Sequence, residues 1–501
     1  MADTNIERRT VLAGTAAAVA AVSAGGCPFG TTAAQAAPRS PRDWKHAVAL
    51  TRGCDIAVRG GGGRSREGRF GVMFKNAPAF QPPEDLLRGL AAQMGEPTGP
   101  NPIDFDNPRI PAGFTFLGQF IDHDMTLDRT PLAEAQADPL ALVNFDTPHF
   151  DLGSVYGRGP RLDPDLYEAD KTRLRVVRNV NGVDDLPRRA DGSAYLGDPR
   201  NDENLIVAQL HVAFAKFHNR LLEKRIARTL ADAQRLTRWH FQWIIVHDFL
   251  DKIVGTEVIG RYLGRLGRVR NEHYRPRNRN RPFMPIEYSV AAYRFGHSMV
   301  RAGYLLNNRT TPPGAAAIFG QEGFDLRGNR PLPADLEIDW WHFFDVPGKP
   351  ATPRNQARRI DGKLSLPLFN LPPTVVNDDV TSLAERNLLR GSRLGLPSGQ
   401  DVATRMGLTP LTNTELGITD PGFKNKAPLW FYILKEAELT YAGQRLGPVG
   451  GRIVAEVILG ILDMDRNSYL SVNPFWRPTV PIAPVLGQFR TGDLLKFALD
   501  L

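Results

Sequence analysis

The stretch GQFIDHD, residues 118–124, sets a histidine, His123, between two carboxylates in an otherwise apolar segment. On a helix, His123 extends an apolar stripe through Phe116 and Phe120, and Gln119 lies one turn earlier on the same side. A buried imidazole in such a place can accept and return a proton. A core histidine with satisfied hydrogen bonds has the same pattern, so this motif alone leaves both interpretations open.

A second histidine, His297, occurs in the stretch 286–300, and Gly296 beside it would let a bulky planar group approach the backbone. Apolar residues at spacings of 4 and 3 predict a helix with His297 on its buried face: Ile286, Val290, Tyr293 and Val300. Two buried histidines on separate helices are what a haem requires. One ligates the iron, and the other acts as acid and base.

A positive charge comes from GDPRNDENL, residues 197–205. Arg200 stands directly before a predicted helix whose start is indicated by Asn201 or Asp202. Glu203 would then lie in the first turn, where the helix dipole favours a carboxylate. The alternative is an ordinary helix end with a surface salt bridge, and this motif alone does not exclude it.

These motifs need a large helical framework to hold them. The chain has 501 residues, 42% of them hydrophobic and 23% charged, which excludes disordered and collagen-like classes. Apolar spacings of 3 and 4 over residues 236–253 predict a helix, and the apolar segment 451–465 predicts a central buried helix because it is too short to span a membrane. We predict one mainly α-helical domain, residues 38–501, with few short strands and an irregular Gly/Pro-rich N-terminal arm at 38–115.

The charge of +8 does not indicate a nucleic-acid partner, because the basic residues are scattered. The one local basic run, residues 275–283, is interpreted as a solvated loop. If a leader ending near Ala36 is removed, Cys54 is the one cysteine left, so we expect no internal disulfide.

The first 37 residues resemble a twin-arginine export signal. Arg8 and Arg9 precede a short apolar stretch, and small residues near Ala36 suit cleavage. The sequence therefore predicts an exported protein, periplasmic or secreted, that engages the export machinery and has no transmembrane span in its mature form. A weak lipoprotein motif at Cys27 and a disordered Ala-rich leader are the alternatives.

Five motifs occur in one order between residues 118 and 399: GQFIDHD, TPHFDLGSVYG, GDPRNDEN, YRFGHSMV and ERNLLRGSRLGLPSG. Together they resemble the animal-type haem peroxidase family, also called the peroxidase–cyclooxygenase superfamily, which includes myeloperoxidase and lactoperoxidase. The resemblance predicts a bacterial member of this family. It implies a mainly helical fold around a buried haem b that reacts with hydrogen peroxide.

The resemblance also implies roles for individual residues. His123, Gln119 and Arg200 would be the catalytic residues on the distal side of the haem, and His297 would be the proximal iron ligand. Asn387 would accept the remaining ring N–H of His297. The other implied cofactor-binding residues are Gly296, Arg390, and two carboxylates that match the ester-forming residues of the family, Asp122 and Glu203.

A calcium site is implied beside the haem. Asp124 matches a calcium ligand, and the loop DTPHFDLGS adds Thr147, the His149 carbonyl and Asp151. Calcium binds several hard oxygens, which a bent loop with donors at alternate positions supplies. The next position usually carries a hydroxyl, whereas here it is Gly153. The alternative is a turn without an ion.

The predicted function is peroxide reduction coupled to oxidation of a small donor, either a halide or pseudohalide or a phenol. His123 would move a proton between the peroxide oxygens, and Arg200 would stabilise the developing charge. Asn204 stands where myeloperoxidase has a methionine bonded to the haem, so that additional bond should be absent.

Two other functions remain open. Fatty-acid dioxygenases of the same superfamily have a tyrosine three residues before the proximal histidine, where this chain has Arg294 and the tyrosine is Tyr293. The second alternative is a secreted, calcium-stabilised adhesion module without turnover. The intact set of Gln119, His123 and Arg200 disfavours it.

Overall fold

Helices provide most of the regular structure. The computed structural model describes residues 70–98, 105–126, 148–277, 282–309, 315–320, 324–350, 355–376, 378–479 and 481–501, which belong to one unit, Arg66–Leu501. The predicted export signal, Cys27, Cys54 and Thr147 lie outside the described residues. The α-helices are α1 (Glu84–Ala92), α2 (Gly113–Met125), α3 (Gly153–Tyr156), α4 (Leu205–Glu223), α5 (Leu230–Ile244), α6 (Leu250–Ile253), α7 (Thr256–Tyr262), α8 (Leu383–Arg393), α9 (Gly399–Arg405), α10 (Asn413–Leu416), α11 (Leu429–Tyr441), α12 (Pro448–Met464), α13 (Tyr469–Val472) and α14 (Thr491–Leu499).

Strands are short and paired two by two in the described part of the chain, which confirms the predicted mainly helical class. Two pairs join distant segments, β1 (Phe70–Gly71) with β5 (Met284–Pro285) in parallel and β2 (Asp106–Pro111) with β8 (Gln356–Arg358) in antiparallel fashion. Two antiparallel pairs are local: β3 (Val177–Arg178) with β4 (Asp184–Asp185), and β6 (Gly303–Leu305) with β7 (Ala315–Ala317).

The apolar segment 451–465 lies in α12 and is buried along almost its whole length, as predicted. A Cβ added to Gly450 would lie 2.5 Å from Cγ2 of Ile433, so α12 approaches α11 at a position that needs glycine. Within the described residues, every helix is too short or too polar to cross a bilayer.

Residues 230–253 form one helical rod that a π segment, Ile245–Phe249, divides between α5 and α6. Trp243, Val246 and Leu250 are buried, as their spacing predicts. The π segment directs Phe249 towards α2, where its ring Cε2 would lie 3.2 Å from a Cβ on Gly118. This contact sets how closely the rod packs against the helix that carries His123.

The predicted helix before His297 is present but is not a single α-helix. A π segment, Glu287–Ala291, is followed by a 3-10 helix, Ala292–His297. In this irregular segment the Arg294 side chain donates Nε–H to the carbonyl oxygen of Ser289 at 3.0 Å. Ile286, Val290 and Tyr293 are buried as predicted, whereas His297 and Val300 are half-buried.

The arm at 38–115 is less irregular than predicted, because its described part contains α1 and β2. Buried Glu287 anchors the beginning of the described chain. Its carboxylate accepts from the backbone N–H groups of Met73 at 3.0 Å and Phe74 at 2.9 Å. Local composition could not reveal this contact, because its two ends are far apart in the sequence.

We predict that the start of α2 does not tolerate a side chain at Gly113. A Cβ there would lie 2.4 Å from the Phe343 carbonyl oxygen and from the Phe344 ring, so backbone would have to shift. Gly113→Ala should lower the free energy of unfolding by about 1–3 kcal/mol in urea titrations. Gly89→Ala is the matched control, because Gly89 is helical with nothing within 4 Å of its Cβ position, and should raise it by about 0.5–1 kcal/mol. If Gly113→Ala unfolded with the same free energy as Gly89→Ala, the tight packing at Gly113 would be contradicted.

Candidate active site

His123 lies near the end of α2 and is 5% exposed. Its Nδ1 is 2.9 Å from Oδ1 of Asn201. Its carbonyl oxygen accepts from Nη2 of Arg200, also at 2.9 Å. The structure therefore brings His123 and Arg200 together, and two successive residues of one turn hold the histidine by its ring and by its backbone.

Asp198 fixes the side chain of Arg200. Oδ2 of Asp198 is 2.7 Å from Nη2, and Oδ1 accepts from Nε at 3.1 Å and from the Arg200 backbone N–H at 2.9 Å. Burial opposes ionisation of Asp198, but the charge and hydrogen bonds of Arg200 outweigh it, and the pKa of Asp198 lies well below its usual range. The guanidinium is thus held beside His123 in a fixed orientation.

The helix after Arg200 begins later than predicted. Asn201 and Asp202 belong to a 3-10 turn, Pro199–Asp202, and Asn204 is the N-cap of α4. The side chain of Asn204 accepts from the N–H of Ile206 at 2.9 Å. Asn204 is therefore used for capping.

The two carboxylates matched to ester-forming residues differ in their surroundings. Asp122 is half-buried, and its Oδ1 accepts from the Thr126 hydroxyl at 2.9 Å. Burial raises the pKa of Asp122 above its usual value, against the opposing charge of Arg200. Glu203 is exposed and precedes the cap of α4, so the prediction that it lies in the first helical turn is wrong.

The second histidine contacts α8. Nδ1 of His297 is 2.8 Å from Nδ2 of Asn387, and Oδ1 of Asn387 accepts from Nη1 of Arg294 at 2.6 Å. The pairing matches the expectation, but the amide presents its nitrogen to the ring rather than its oxygen. Burial and the charge of Arg294 lower the pKa of His297 to about 3, so the ring is neutral and can act as a metal ligand. Arg390 is half-buried one turn further along α8.

The segments that carry the two histidines are joined directly. The Tyr293 hydroxyl donates to the carbonyl oxygen of Gly118 on α2 at 3.1 Å. Burial raises the pKa of Asp122, and the charge of Arg294 on the other segment opposes this shift. The two predicted halves of the site therefore form one site.

Two features leave room for a planar cofactor. No heavy atom lies within 4 Å of the position that a Cβ on Gly296 would occupy. Gln119 is half-buried and has no hydrogen-bond partner among the residues that the structure describes. An open glycine surface beside His297 and an available amide one turn before His123 fit a haem between them.

Asp124 and Asp151, two of the predicted calcium ligands, meet at the same loop. The buried carboxylate of Asp124 accepts from the N–H groups of Leu152 at 2.7 Å and Ser154 at 3.2 Å. Oδ1 of Asp151 accepts from the N–H of Gly153 at 3.0 Å. The backbone between them therefore already satisfies part of both carboxylates.

The rest of the predicted calcium set is less complete. His149 is half-buried, and Thr147 lies outside the described residues. The carbonyl oxygen of Asp151 accepts from Nε of Arg238 at 2.6 Å. Within the described ranges, no three His, Cys, Asp or Glu side chains are grouped so that they could hold a metal ion.

A family model for the animal haem peroxidases matches residues 109–415, which is more than half of the chain and contains both histidines. The chain belongs to the animal haem peroxidase family. It is 26% identical over 225 residues to a chorion peroxidase of Aedes aegypti, a match that covers 41% of this chain and 28% of the relative. It is 23% identical over 189 residues to the peroxidase mlt-7 of Caenorhabditis elegans, a match that covers 34% of this chain and 24% of that relative.

Solved structures share the fold of this family member. Peroxidase A of Dictyostelium discoideum superposes with a TM-score of 0.56 at 17% identity, covering 81% of this chain and 88% of that one. A fatty acid α-dioxygenase of Arabidopsis thaliana superposes with a TM-score of 0.55 at 16% identity, covering 80% and 74%. The chain spans about a quarter of the length of the two sequence relatives, so their activities are not transferred directly.

The sequence motifs do not identify the role of three residues at this site. Asn201 is predicted as a helix cap and His211 has no predicted role, yet Nδ2 of Asn201 lies 3.2 Å from Nδ1 of His211. Arg294 is predicted only as the residue in the tyrosine position, but its guanidinium contacts the amide oxygen of Asn387. The clue was present for Arg294, three residues before His297 in RFGH, whereas no local pattern links Asn201 to either histidine.

We predict that His297→Ala loses haem, because the variant lacks the neutral imidazole that would ligate the iron. The ratio of haem to protein, measured as the pyridine haemochrome, should fall on the order of tenfold or more. His240→Leu is the control, because His240 is another buried histidine with burial lowering its pKa to about 4, and it should keep the parent ratio. Full haem content in His297→Ala would contradict the assignment.

Proposed function

We propose that this chain is a haem peroxidase that reduces hydrogen peroxide and oxidises a small donor, either a halide or pseudohalide or a phenol. The proposal rests on two histidines whose positions are set by hydrogen bonds and whose segments are joined by the Tyr293 hydroxyl. His123 is held by Asn201 and Arg200, and His297 is held by Asn387.

Haem, when bound, supplies the redox chemistry that passes the oxidising equivalents of peroxide to the donor. The protein supplies proton movement. His123 would take a proton from one peroxide oxygen and return it to the other, so that one peroxide with two protons and two donor electrons yields two waters. Gln119, one turn earlier on α2, would orient the peroxide by hydrogen bonding.

Arg200 would stabilise the negative charge that develops on the leaving oxygen. Its guanidinium is positioned in advance by Asp198 and by the His123 carbonyl oxygen, so little reorganisation is needed when the charge appears. This preorganisation is the reason to assign Arg200 to the reaction rather than to a surface salt bridge.

Lipid dioxygenation is disfavoured by the residues before His297. Arg294 occupies the position where the dioxygenase pattern has a tyrosine, and its guanidinium contacts Asn387. The neighbouring Tyr293 donates its hydroxyl to Gly118. The similarity to fatty acid dioxygenases is one of fold, and the held set of His123 and Arg200 also argues against an adhesion module without turnover.

We predict that His123→Ala keeps haem but loses reactivity, because His123 acts on peroxide protons. The peroxide-induced change of the Soret band in stopped flow should slow on the order of a hundredfold or more. Arg200→Gln should slow it on the order of a hundredfold through the lost charge. His218→Gln is the control, since His218 is a buried histidine paired with Tyr156 at 3.0 Å, and should react as the parent does. Parent rates in His123→Ala would refute the distal role.

We further propose that Asp122 and Glu203 become ester-linked to haem methyl groups. Each ester would consume one peroxide, replace a methyl C–H bond by a C–O bond and release two waters. Asp122 supports this best, because it stands beside His123 and near both Arg200 and Arg294. Glu203 is next to the turn of Arg200, and its exposed side chain is not enclosed by protein.

The linkage predicts haem that stays with the polypeptide in denaturing chromatography after peroxide treatment. Mass spectrometry should show attachment that grows with turnover and that disappears in the Asp122→Asn, Glu203→Gln double variant. The single variants show whether one ester or two forms. Haem that leaves the parent protein completely would exclude the linkage.

Calcium is proposed at the loop shared by Asp124 and Asp151. Both carboxylates support this proposal, because they accept hydrogen bonds from the backbone of residues 152–154 and therefore lie at the same loop. A bound ion would share the carboxylate oxygens with these N–H donors. Calcium content per chain in the purified protein decides between an ion and a metal-free turn.

Export is proposed from the first 37 residues, on the paired arginines, the apolar stretch and the small residues that follow. N-terminal sequencing of protein recovered from a bacterial host tests this. A start near Ala36 supports a cleaved signal, and a blocked or lipid-modified Cys27 supports the lipoprotein alternative.

A further inference from the structure

A chain of hydrogen bonds runs from His123 into the core. Nδ1 of His123 contacts Oδ1 of Asn201 at 2.9 Å, and Nδ2 of Asn201 contacts Nδ1 of His211 at 3.2 Å. All three side chains are buried, with exposed fractions of 5% for each histidine and 0% for Asn201. No water can replace these contacts without opening the core.

We propose that Asn201, oriented by His211, is a positioning residue that sets the tautomer of His123. This inference rests on the proposed peroxidase function. It concerns which nitrogen of His123 carries a proton before peroxide arrives, and therefore whether the nitrogen not held by Asn201 can act as a base.

The chemistry of an amide fixes the direction of both bonds. An amide oxygen accepts and an amide nitrogen donates, so Nδ1–H of His123 donates to Asn201, and Asn201 donates to Nδ1 of His211. His211 must then be neutral with its lone pair on Nδ1. Burial lowers the pKa of His211 to about 3, which keeps the ring neutral, and the contact with the amide nitrogen selects the tautomer with a lone pair on Nδ1.

The consequence for His123 is a lone pair on Nε2. In the neutral ring, the proton is on Nδ1, where Asn201 accepts it, so Nε2 is the nitrogen that can take a proton from peroxide. When Nε2 is protonated, the ring is a cation with two N–H groups, and the oxygen of Asn201 still faces the Nδ1–H.

The reverse orientation of the amide does not support this cycle. It would direct an N–H group of Asn201 at Nδ1 of His123, which would place the ring proton on Nε2 and leave two donors opposed once the ring became a cation. In this structure the amide oxygen faces His123 and the amide nitrogen faces His211, so the reverse orientation is not the one present. His211 thereby acts through Asn201 and not on peroxide.

The backbone holds Asn201 in place. It lies in the 3-10 turn Pro199–Asp202, which is closed by Asp198 at its start and by an ion pair between Asp202 and Arg188, 2.6 Å apart, at its end. His211 projects from α4, which follows the turn directly. The backbone on both sides of Asn201 is therefore held in place.

The test compares cyanide affinity with peroxide reactivity in Asn201 variants of the haem-loaded protein. Hydrogen cyanide gives its proton to a nearby base when it binds haem iron, so its Kd reports whether Nε2 of His123 is available. Asn201→Leu should raise the Kd for potassium cyanide and slow the peroxide-induced Soret change, each on the order of tenfold or more. Asn201→Asp keeps an acceptor oxygen opposite Nδ1 and should restore both to within about threefold.

Two further variants test whether the change in cyanide Kd could come from a loss of stability alone. Asn107→Leu is the matched control, because Asn107 is a fully buried asparagine whose Nδ2 donates to the Gly443 carbonyl oxygen at 3.1 Å, and it should lose stability without changing cyanide Kd. His211→Phe removes the group that orients the amide and should raise the cyanide Kd while leaving haem content unchanged.

The outcomes separate this inference from the proposed function. A parent protein without haem, or with haem that does not respond to peroxide, would defeat the function itself. A reactive parent with Asn201→Leu at parent Kd and rate would overturn the role of Asn201 alone. If Asn201→Leu fails to fold, His211→Phe decides: an unchanged cyanide Kd in that variant overturns the orienting chain, and a raised one supports it.

Discussion

A buried carboxylate, Asp198, is the constraint on which the distal side depends. An isolated charge in such a place is costly, and Asp198 is tolerated because Arg200 supplies both an opposite charge and hydrogen bonds. The same contacts place the Arg200 guanidinium against the His123 carbonyl oxygen. At the other end of the turn, the pair of Asp202 and Arg188 repeats this arrangement. Asn201 therefore lies between two ion pairs that hold its turn, and its side chain contacts the ring of His123.

Departures from regular helix occur where segments must meet at the site. The π segment Ile245–Phe249 directs Phe249 against Gly118, and the π and 3-10 segments over 287–297 let the side chain of Arg294 cap a carbonyl of its own helix. Such interruptions are frequent at functional sites, because a regular helix offers side chains in a fixed rotation and cannot aim two of them independently. Here they let Tyr293 reach α2 while His297 reaches α8.

Each of the two histidines contacts a side-chain amide, but through a different atom of that amide. At His123 the ring faces an amide oxygen, whereas at His297 it faces an amide nitrogen, since the oxygen of Asn387 is taken by Arg294. A base must keep its outer nitrogen unprotonated, and a metal ligand must present a lone pair to the metal. The orientation of the Asn387 amide at His297 is therefore set by its hydrogen bond with Arg294.

The sequence by itself determined the class of fold and indicated His123 and His297 as candidate site residues. His123 could be placed on a buried helical face because burial follows apolar spacing, which is a local property, and the central helix at 451–465 followed from the same rule. His297, predicted on the same ground, is half-buried. Tertiary structure decided where α4 begins. Asn201, Asp202 and Asn204 are all good caps, and the choice fell on Asn204 because Asn201 is bonded to His123 and His211 and Asp202 is paired with Arg188. His123 lies on another helix, 78 residues before Asn201, and hydrogen bonds between separate elements are set by packing, which no local pattern encodes.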